Sequence, residues 1–201
     1  MKLTLPPIMI DHREKKPFPF PAYLTTLDRD RPPSDRRTVV LPVRTKRAEL
    51  AIGDYCFEGQ GHICSIERKA SLAEIAWNLL THDRRRASSA FTRLHDSCAH
   101  PYLIIETDLL EMNGPIRVPH HKDPFDPNAV LCALTDHLAS LPRLRLLTLR
   151  ANSYSRRLYT GTLVAHILLS HYPASTPTPV VPGPERTPDV VEPTPTPEPA
   201  P

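Results

Sequence analysis

Gly53-Asp54-Tyr55 is followed twelve residues later by Glu67-Arg68-Lys69, a spacing that fits a short hairpin-like segment in which Asp54 leaves one strand and Glu67 and Lys69 ride the next. Two carboxylates can hold a hard divalent cation, and the cation and an ammonium together polarise a water and a phosphate. No soft ligand such as thiolate is required. This inventory suits the hydrolysis of a phosphodiester. Asp11-His12-Arg13-Glu14 follows the apolar run Ile8-Met9-Ile10 and adds two acids at the end of an expected buried strand. Singly, each acid has a structural explanation: a strand end for Asp11, support of the Gly53 turn for Asp54, surface charge for Glu67-Arg68-Lys69.

The elements that must position these groups follow from periodicity. Residues 38–43 and 50–57 read as strands, with 63–67 as their partner. After Lys69 the apolar period lengthens, with Leu72, Ile75, Ala76 and Leu79 marking a helix. Ser71 can cap it, and Glu74 three residues on completes a capping box. A second helix carries Ala87, Ala90, Phe91, Leu94 and Cys98 on one face and Arg84-Arg85-Arg86 near its start. Residues 102–105 are an unbroken apolar run, expected as a buried parallel strand with helices on both faces, and Glu106 caps or solvates its end. Val130, Leu131, Leu134, Leu138 and Leu141 mark a helix, Leu144, Leu146, Leu147 and Leu149 a strand, and 153–171 a closing helix. The alternation predicts an α/β fold. Residues 15–35, rich in Pro and charge, read equally as a mobile arm beside the first acidic motif or as a solvated surface loop. Residues 113–128, with His120-His121-Lys122, read as a loop that either touches nucleic acid or is plain solvated surface.

Eleven of the 25 prolines lie from Pro173 onward, in a stretch with few large apolar residues and no periodicity. The expected division is a single domain over 1–172 and a disordered, partly polyproline-II tail over 173–201. The tail sets Arg186 against Glu185, Asp189, Glu192 and Glu198, a net −3, so the body carries +6 where the whole chain carries +3. A basic body favours a polyanionic partner. The four cysteines form no C-x-x-C pair, and neither a secretory leader nor a long apolar segment is visible. A reducing interior is expected: cytoplasmic or nucleoid-associated, nuclear if eukaryotic, not secreted and with no membrane partner. Two Cys/His groups (Cys56, His62, Cys64; His95, Cys98, His100) lack the paired spacing of a structural zinc module, so buried free cysteines and surface histidines are the expectation.

The ordered set IDHRE, GDY, SIERK and PYLIIE resembles the nuclease domain of the XPF family, structure-specific endonucleases of the restriction-endonuclease-like superfamily, over residues 5–170. The resemblance implies a central mixed sheet flanked by helices and a Mg2+-dependent DNA endonuclease, with Mn2+ as a possible substitute. It places Asp11, Glu14, Asp54, Glu67 and Lys69 at active-site positions, with Asp11, Asp54 and Glu67 as metal ligands. Arg13, Arg68 and Arg86 fall on the accompanying basic positions, there to hold the DNA backbone and to fix acid side chains. Where the family often has an acid four residues after the Lys, this chain has Ala73, and Glu74 follows one residue later.

The resemblance also implies branched DNA as substrate, in repair or recombination, and pairing through the last helices as a homodimer or a heterodimer with a related subunit. Leu158, Val164, Ala165, Ile167 and Leu168 would supply that interface, unless they pack within their own domain. No tandem helix-hairpin-helix module follows residue 172, so a modest preference for branches is expected. Two alternatives stand beside the enzyme: a non-catalytic DNA-binding or scaffolding subunit of a partner nuclease, and a general phage or mobile-element nuclease without branch preference. Truncation after Tyr172 is expected to leave folding and activity intact, because the tail lacks the apolar content to dock; a large fall in melting temperature on truncation would show that it packs on the body.

Overall fold

The apolar run at residues 102–105 lies in β7 (His100–Ile105), with parallel partners on both sides, β6 (Cys64–Lys69) and β8 (Arg145–Thr148). Its side chains alternate between two cores. Leu103 and Ile105 pack with α1 (Leu72–Leu80), α2 (Arg84–Ser97) and α3 (Pro127–Ala139). Ile104 and Tyr102 pack on the other face with α4 (Tyr154–His171). A strand covered on both faces needs apolar residues at every position, which is why this run does not alternate with polar ones. The computed structural model describes residues 5–27, 32–35, 37–107, 114–119 and 121–173. The tail beyond Pro173, and parts of the two loops singled out above, lie outside the described residues.

Antiparallel β5 (Tyr55–Phe57) joins the other edge of β6, β1 (Ile8–Asp11) pairs antiparallel with β5, and β4 (Thr45–Ala48) closes the edge parallel to β1. The result is a mixed six-stranded sheet in the order β4-β1-β5-β6-β7-β8, flanked by four helices. Serine and aspartate side chains start three of those helices: Ser71 Oγ accepts from Glu74 N, Asp126 Oδ1 from Asn128 N, and Ser153 Oγ from Arg156 N.

Four local expectations are corrected. The strand expected over 50–57 starts only at Tyr55, because Gly53 takes φ +66° and breaks the extended path, so Asp54 enters β5 rather than leaving a strand. The strand in 38–43, β3 (Thr38–Pro42), pairs with β2 (Tyr23–Leu27) in a separate two-stranded sheet and not with β6. β4 had no apolar alternation to announce it: Thr-Lys-Arg-Ala is a charged edge strand, a composition that discourages pairing with other chains. The described part of 15–35 is also more than an arm. Leu24 of β2 and Leu41 of β3 join the α4-side core, and Phe18 is buried in it.

α4 is correspondingly spent on its own domain. Val164, Ala165 and Leu168 are fully buried and Ile167 packs against the same core, so the stripe expected at a dimer interface faces the sheet instead. Gly161 marks the closest approach: a Cβ there would lie 2.0 Å from the Pro19 carbonyl oxygen. Gly161→Ala is expected to cost about 1–3 kcal/mol, the usual range for overpacking. Urea denaturation checks this, and an unchanged midpoint would mean that 18–19 is not pressed against the helix.

Candidate active site

Strand period places Glu67 and Lys69 on one face of β6 and Arg68 on the other. The pairings follow that division. Lys69 Nζ lies 2.8 Å from Glu67 Oε1 and 5.6 Å from the centre of the Phe91 ring on α2, while Arg68 turns toward the α4 side and stands over Phe18.

Asp54 reaches this face through backbone geometry. β5 pairs with β6 only as far as Ile66, so the next inward amide of β6 needs another acceptor. Asp54 Oδ2 supplies it, accepting from Arg68 N at 2.7 Å, while Asp54 N donates to Ile66 O at 2.7 Å. Only glycine fits before it, since a Cβ on Gly53 would lie 2.4 Å from Ser65 Oγ. The carboxyl thus held beside Glu67 is pushed up to about pKa 8, first by burial and then by the charges of Glu67 and Glu14. Lys69 answers with the opposite behaviour: burial works against its charge, but Glu67, Glu74 and Asp54 outweigh burial and hold the ammonium above its ordinary value. A lysine so held is an electrostatic group and no proton acceptor at neutral pH.

Glu74 is tied into the start of the helix and also reaches Lys69. Its Oε2 accepts from Ala70 N at the start of α1, and its Oε1 lies 3.5 Å from Lys69 Nζ.

Asp11 does not join the pair. Its Oδ1 accepts from Arg13 N and Nε, and its Oδ2 from Arg13 Nη2 and Leu50 N, at 2.7–2.9 Å. Burial alone would raise this carboxyl; the donors from Arg13 and Leu50 more than offset it and bring it to about 2. Asp11 is thus engaged by Arg13 and the Leu50 amide at the end of β1. Arg13 is its partner, and the Arg13 side chain also donates to Leu50 O.

Glu14 and Arg68 form the floor beneath the site. Arg68 Nη1 donates to both Glu14 oxygens at 2.9–3.0 Å, and Arg68 Nε bonds Glu106 Oε1. Arg157 of α4 grips both oxygens of Glu106 at 2.7–3.0 Å and the carbonyls of Lys16 and Pro17. Of the two tasks expected of Arg68, this geometry shows the fixing of acids: its side chain is 6 % exposed and paired with Glu14 and Glu106. Arg86, 81 % exposed, pairs with Asp83 at 3.2 Å at the start of α2. Sequence reasoning missed Glu106 and Arg157 as parts of the site. The available signal was the parallel pairing of SIERK with PYLIIE, which sets Glu106 one residue past the Lys69 and Ile105 partners.

Among the described residues no three His, Cys, Asp or Glu side chains converge as a ready cation cage. The donors that do meet, Asp54 and Glu67, still fit a hard divalent cation. Both are carboxylates, and Asp54 keeps its proton first because it is buried and then because Glu67 is charged, a cost that a cation would relieve. The zinc groupings considered above do not assemble, and Cys56, Cys64, Cys98 and Cys132 are free thiols. No helix among the described residues is long and apolar enough to cross a membrane.

No family model and no curated protein matches this chain. Among solved structures it is similar to XPF from Aeropyrum pernix, with 15 % identity and a TM-score of 0.50 over 92 % of this chain and 70 % of that one. XPF from the same organism in complex with DNA gives 16 % identity and a TM-score of 0.48 over 82 % and 64 %. The likeness is one of fold: the chain has an XPF-like nuclease fold.

The Asp54 shift makes a pH prediction. Asp54 ionises near 3.8 in the unfolded chain and near 8 in the folded one, so the folded state binds the extra proton between those values. In the absence of divalent metal, its contribution to stability is full below about pH 4 and is lost as pH rises through 8. Asp11, shifted the other way, acts only below that window. Asp54→Asn is expected to flatten the decline in melting temperature between pH 5 and 8, within the window set by these values; a decline of unchanged slope would show that Asp54 titrates normally.

Proposed function

We propose that this chain is a divalent-metal-dependent DNA endonuclease acting on branched or frayed DNA in repair or recombination. The observation that carries the proposal is the convergence of Asp54, Glu67 and Lys69 on one face of β6, two carboxylates and a protonated amine with the α1 start beside them. Asp54 and Glu67 would hold Mg2+, or Mn2+ in its place. A bound cation would supply Lewis-acid polarisation of phosphate and water. Lys69 orients the attacking water and balances the charge that builds on the phosphate, a task suited to an ammonium that stays charged in a half-closed site. Glu67 keeps Lys69 in place, and Arg68, bonded to Glu14 and Glu106 from the opposite face, fixes the strand that carries both.

DNA as partner is supported by the +6 body and by the exposed Arg84, Arg85 and Arg86. Assembly with a second copy or a related subunit would have to use what α4 leaves exposed, chiefly Tyr154 and Tyr159. A second reading, a non-catalytic DNA-binding scaffold for a partner nuclease, draws on one observation: Asp11 is bonded to Arg13 and the Leu50 amide rather than joined to the Asp54 and Glu67 pair.

Cleavage of a labelled panel of flap, fork, nicked and linear duplex DNA separates these readings. Cutting is expected with Mg2+, to be lost in EDTA, and to fall at least about 100-fold in Lys69→Ala, the scale of losing one group that stabilises transition-state charge. Ca2+ is expected to support binding without turnover. A folded Lys69→Ala protein that cuts at the normal rate, or full activity in EDTA, would remove the assignment.

A further inference from the structure

The far wall of the site holds a feature that phosphodiester hydrolysis does not use. Beyond Glu74 lies a cleft of about 370 Å³, lined by Ser71, Ala73, Glu74 and Trp77 of the α1 region and by Val118 and Pro119 from the facing segment. Trp77 is half-buried, and its orientation is fixed from several sides. Its Nε1 donates to Asp83 Oδ2 at 2.7 Å, and the rings of His82 and His121 meet it nearly at right angles. The same Asp83 oxygen accepts from Arg86 Nη2 at 3.2 Å, which ties the indole to the exposed Arg86, beside the exposed Arg84 and Arg85 in sequence. On the opposite side, Glu74 joins the cleft to Lys69, its Oε1 being 3.5 Å from Nζ. Lysine, apolar cleft and arginines therefore follow one another across α1.

We propose that this cleft seats one unpaired nucleobase, stacked on Trp77 between Val118 and Pro119, belonging to a DNA strand whose phosphate lies at Lys69 and whose continuing backbone passes Arg86. The inference rests on the nuclease reading above and names the substrate feature that the site selects. A phosphate and its own base are separated by one sugar, and Lys69 and the cleft are separated by one side chain. An apolar, partly aromatic slot between two cationic stations is the arrangement that binds single strands, where stacking supplies energy and the cations track the backbone. A base inside a duplex is stacked on its neighbours and cannot enter, so the cleft favours DNA that is unpaired at the cut: flaps, frayed ends and bubbles. Glu74 at the mouth presents acceptor oxygens, which suit the amino and imino donors of a base edge.

Trp77 is the single tryptophan of the chain, so its emission reports the cleft directly in the full-length protein. Oligothymidylate is expected to quench that emission, and a strand of the same length built from abasic units is expected not to. Ala73→Glu, which places a charge in the slot while leaving Trp77 in position, is expected to need at least about fivefold more oligothymidylate for equal quenching, the low end for loss of one base stack. Trp77→Leu, followed by anisotropy of a labelled strand, is expected to show the same loss. The proposal is overturned if quenching is absent, is matched by the abasic strand, or is unchanged in Ala73→Glu. Failure of the nuclease reading would look different: base-dependent quenching would persist while no DNA was cut with Mg2+.

Discussion

Arg68 is the side chain on which the rest of the arrangement depends. It lies at the centre of a buried set of two acids and two guanidiniums, Glu14, Glu106, Arg68 and Arg157, whose formal charges cancel. Burying four charges is expensive, and Coulomb attraction repays it only when the remaining donors and acceptors are also bonded. Here they are. The Arg68 fork takes one acid on Nη1 and the other on Nε, Arg157 adds two backbone carbonyls, and both guanidinium carbons stand 5.2–5.3 Å from the centre of the Phe18 ring. Removing one member of such a set leaves an unpaired buried charge, at a cost of about 3–5 kcal/mol. The set joins β1's end, β6, β7's end and α4, four elements far apart in sequence.

The consequence for chemistry comes from the pleat. With Arg68 fixed on one face of β6, Glu67 and Lys69 must project from the other, and the Arg68 amide is left to bind the Asp54 carboxylate. One residue thus contributes its side chain to the scaffold and its backbone to the site. On that face Asp54 holds its proton far above the usual range, first because it is buried and then because Glu67 and Glu14 are charged.

What could be read in advance divides by range. Local signals held: the Ser71 cap with Glu74, the 3.6-residue period of α1 and α2, the apolar run of β7, and the i, i+2 pairing of Glu67 with Lys69 were all visible as patterns. Contacts between distant segments were invisible. Asp11 looked like a metal ligand because nothing in its neighbourhood announces that the Leu50 amide, 39 residues on, will occupy it together with Arg13. Residues 15–22 belong to the stretch 15–35 that looked like an arm because it is rich in Pro and charge. They are held by the Tyr55 hydroxyl, which accepts from Phe18 N, by Arg157, and by the small surface of Gly161, all long-range partners. β4 was hidden by its charge, and the apolar stripe of α4 could not say whether it faced its own sheet or another chain.

The claim that the two faces of β6 divide the labour, with ion pairs on one and a cation-seeking acid pair on the other, is tested most directly by metal binding without substrate. Titration of the full chain with Mn2+, followed calorimetrically or by the loss of the free-ion electron paramagnetic resonance signal, is expected to show one ion bound per chain. That binding is expected to be lost in Asp54→Asn and in Glu67→Gln but retained in Asp11→Asn, whose carboxylate belongs to Arg13 and Leu50. Mn2+ bound equally well by the Asp54→Asn and Glu67→Gln proteins, or lost with Asp11→Asn alone, would contradict it.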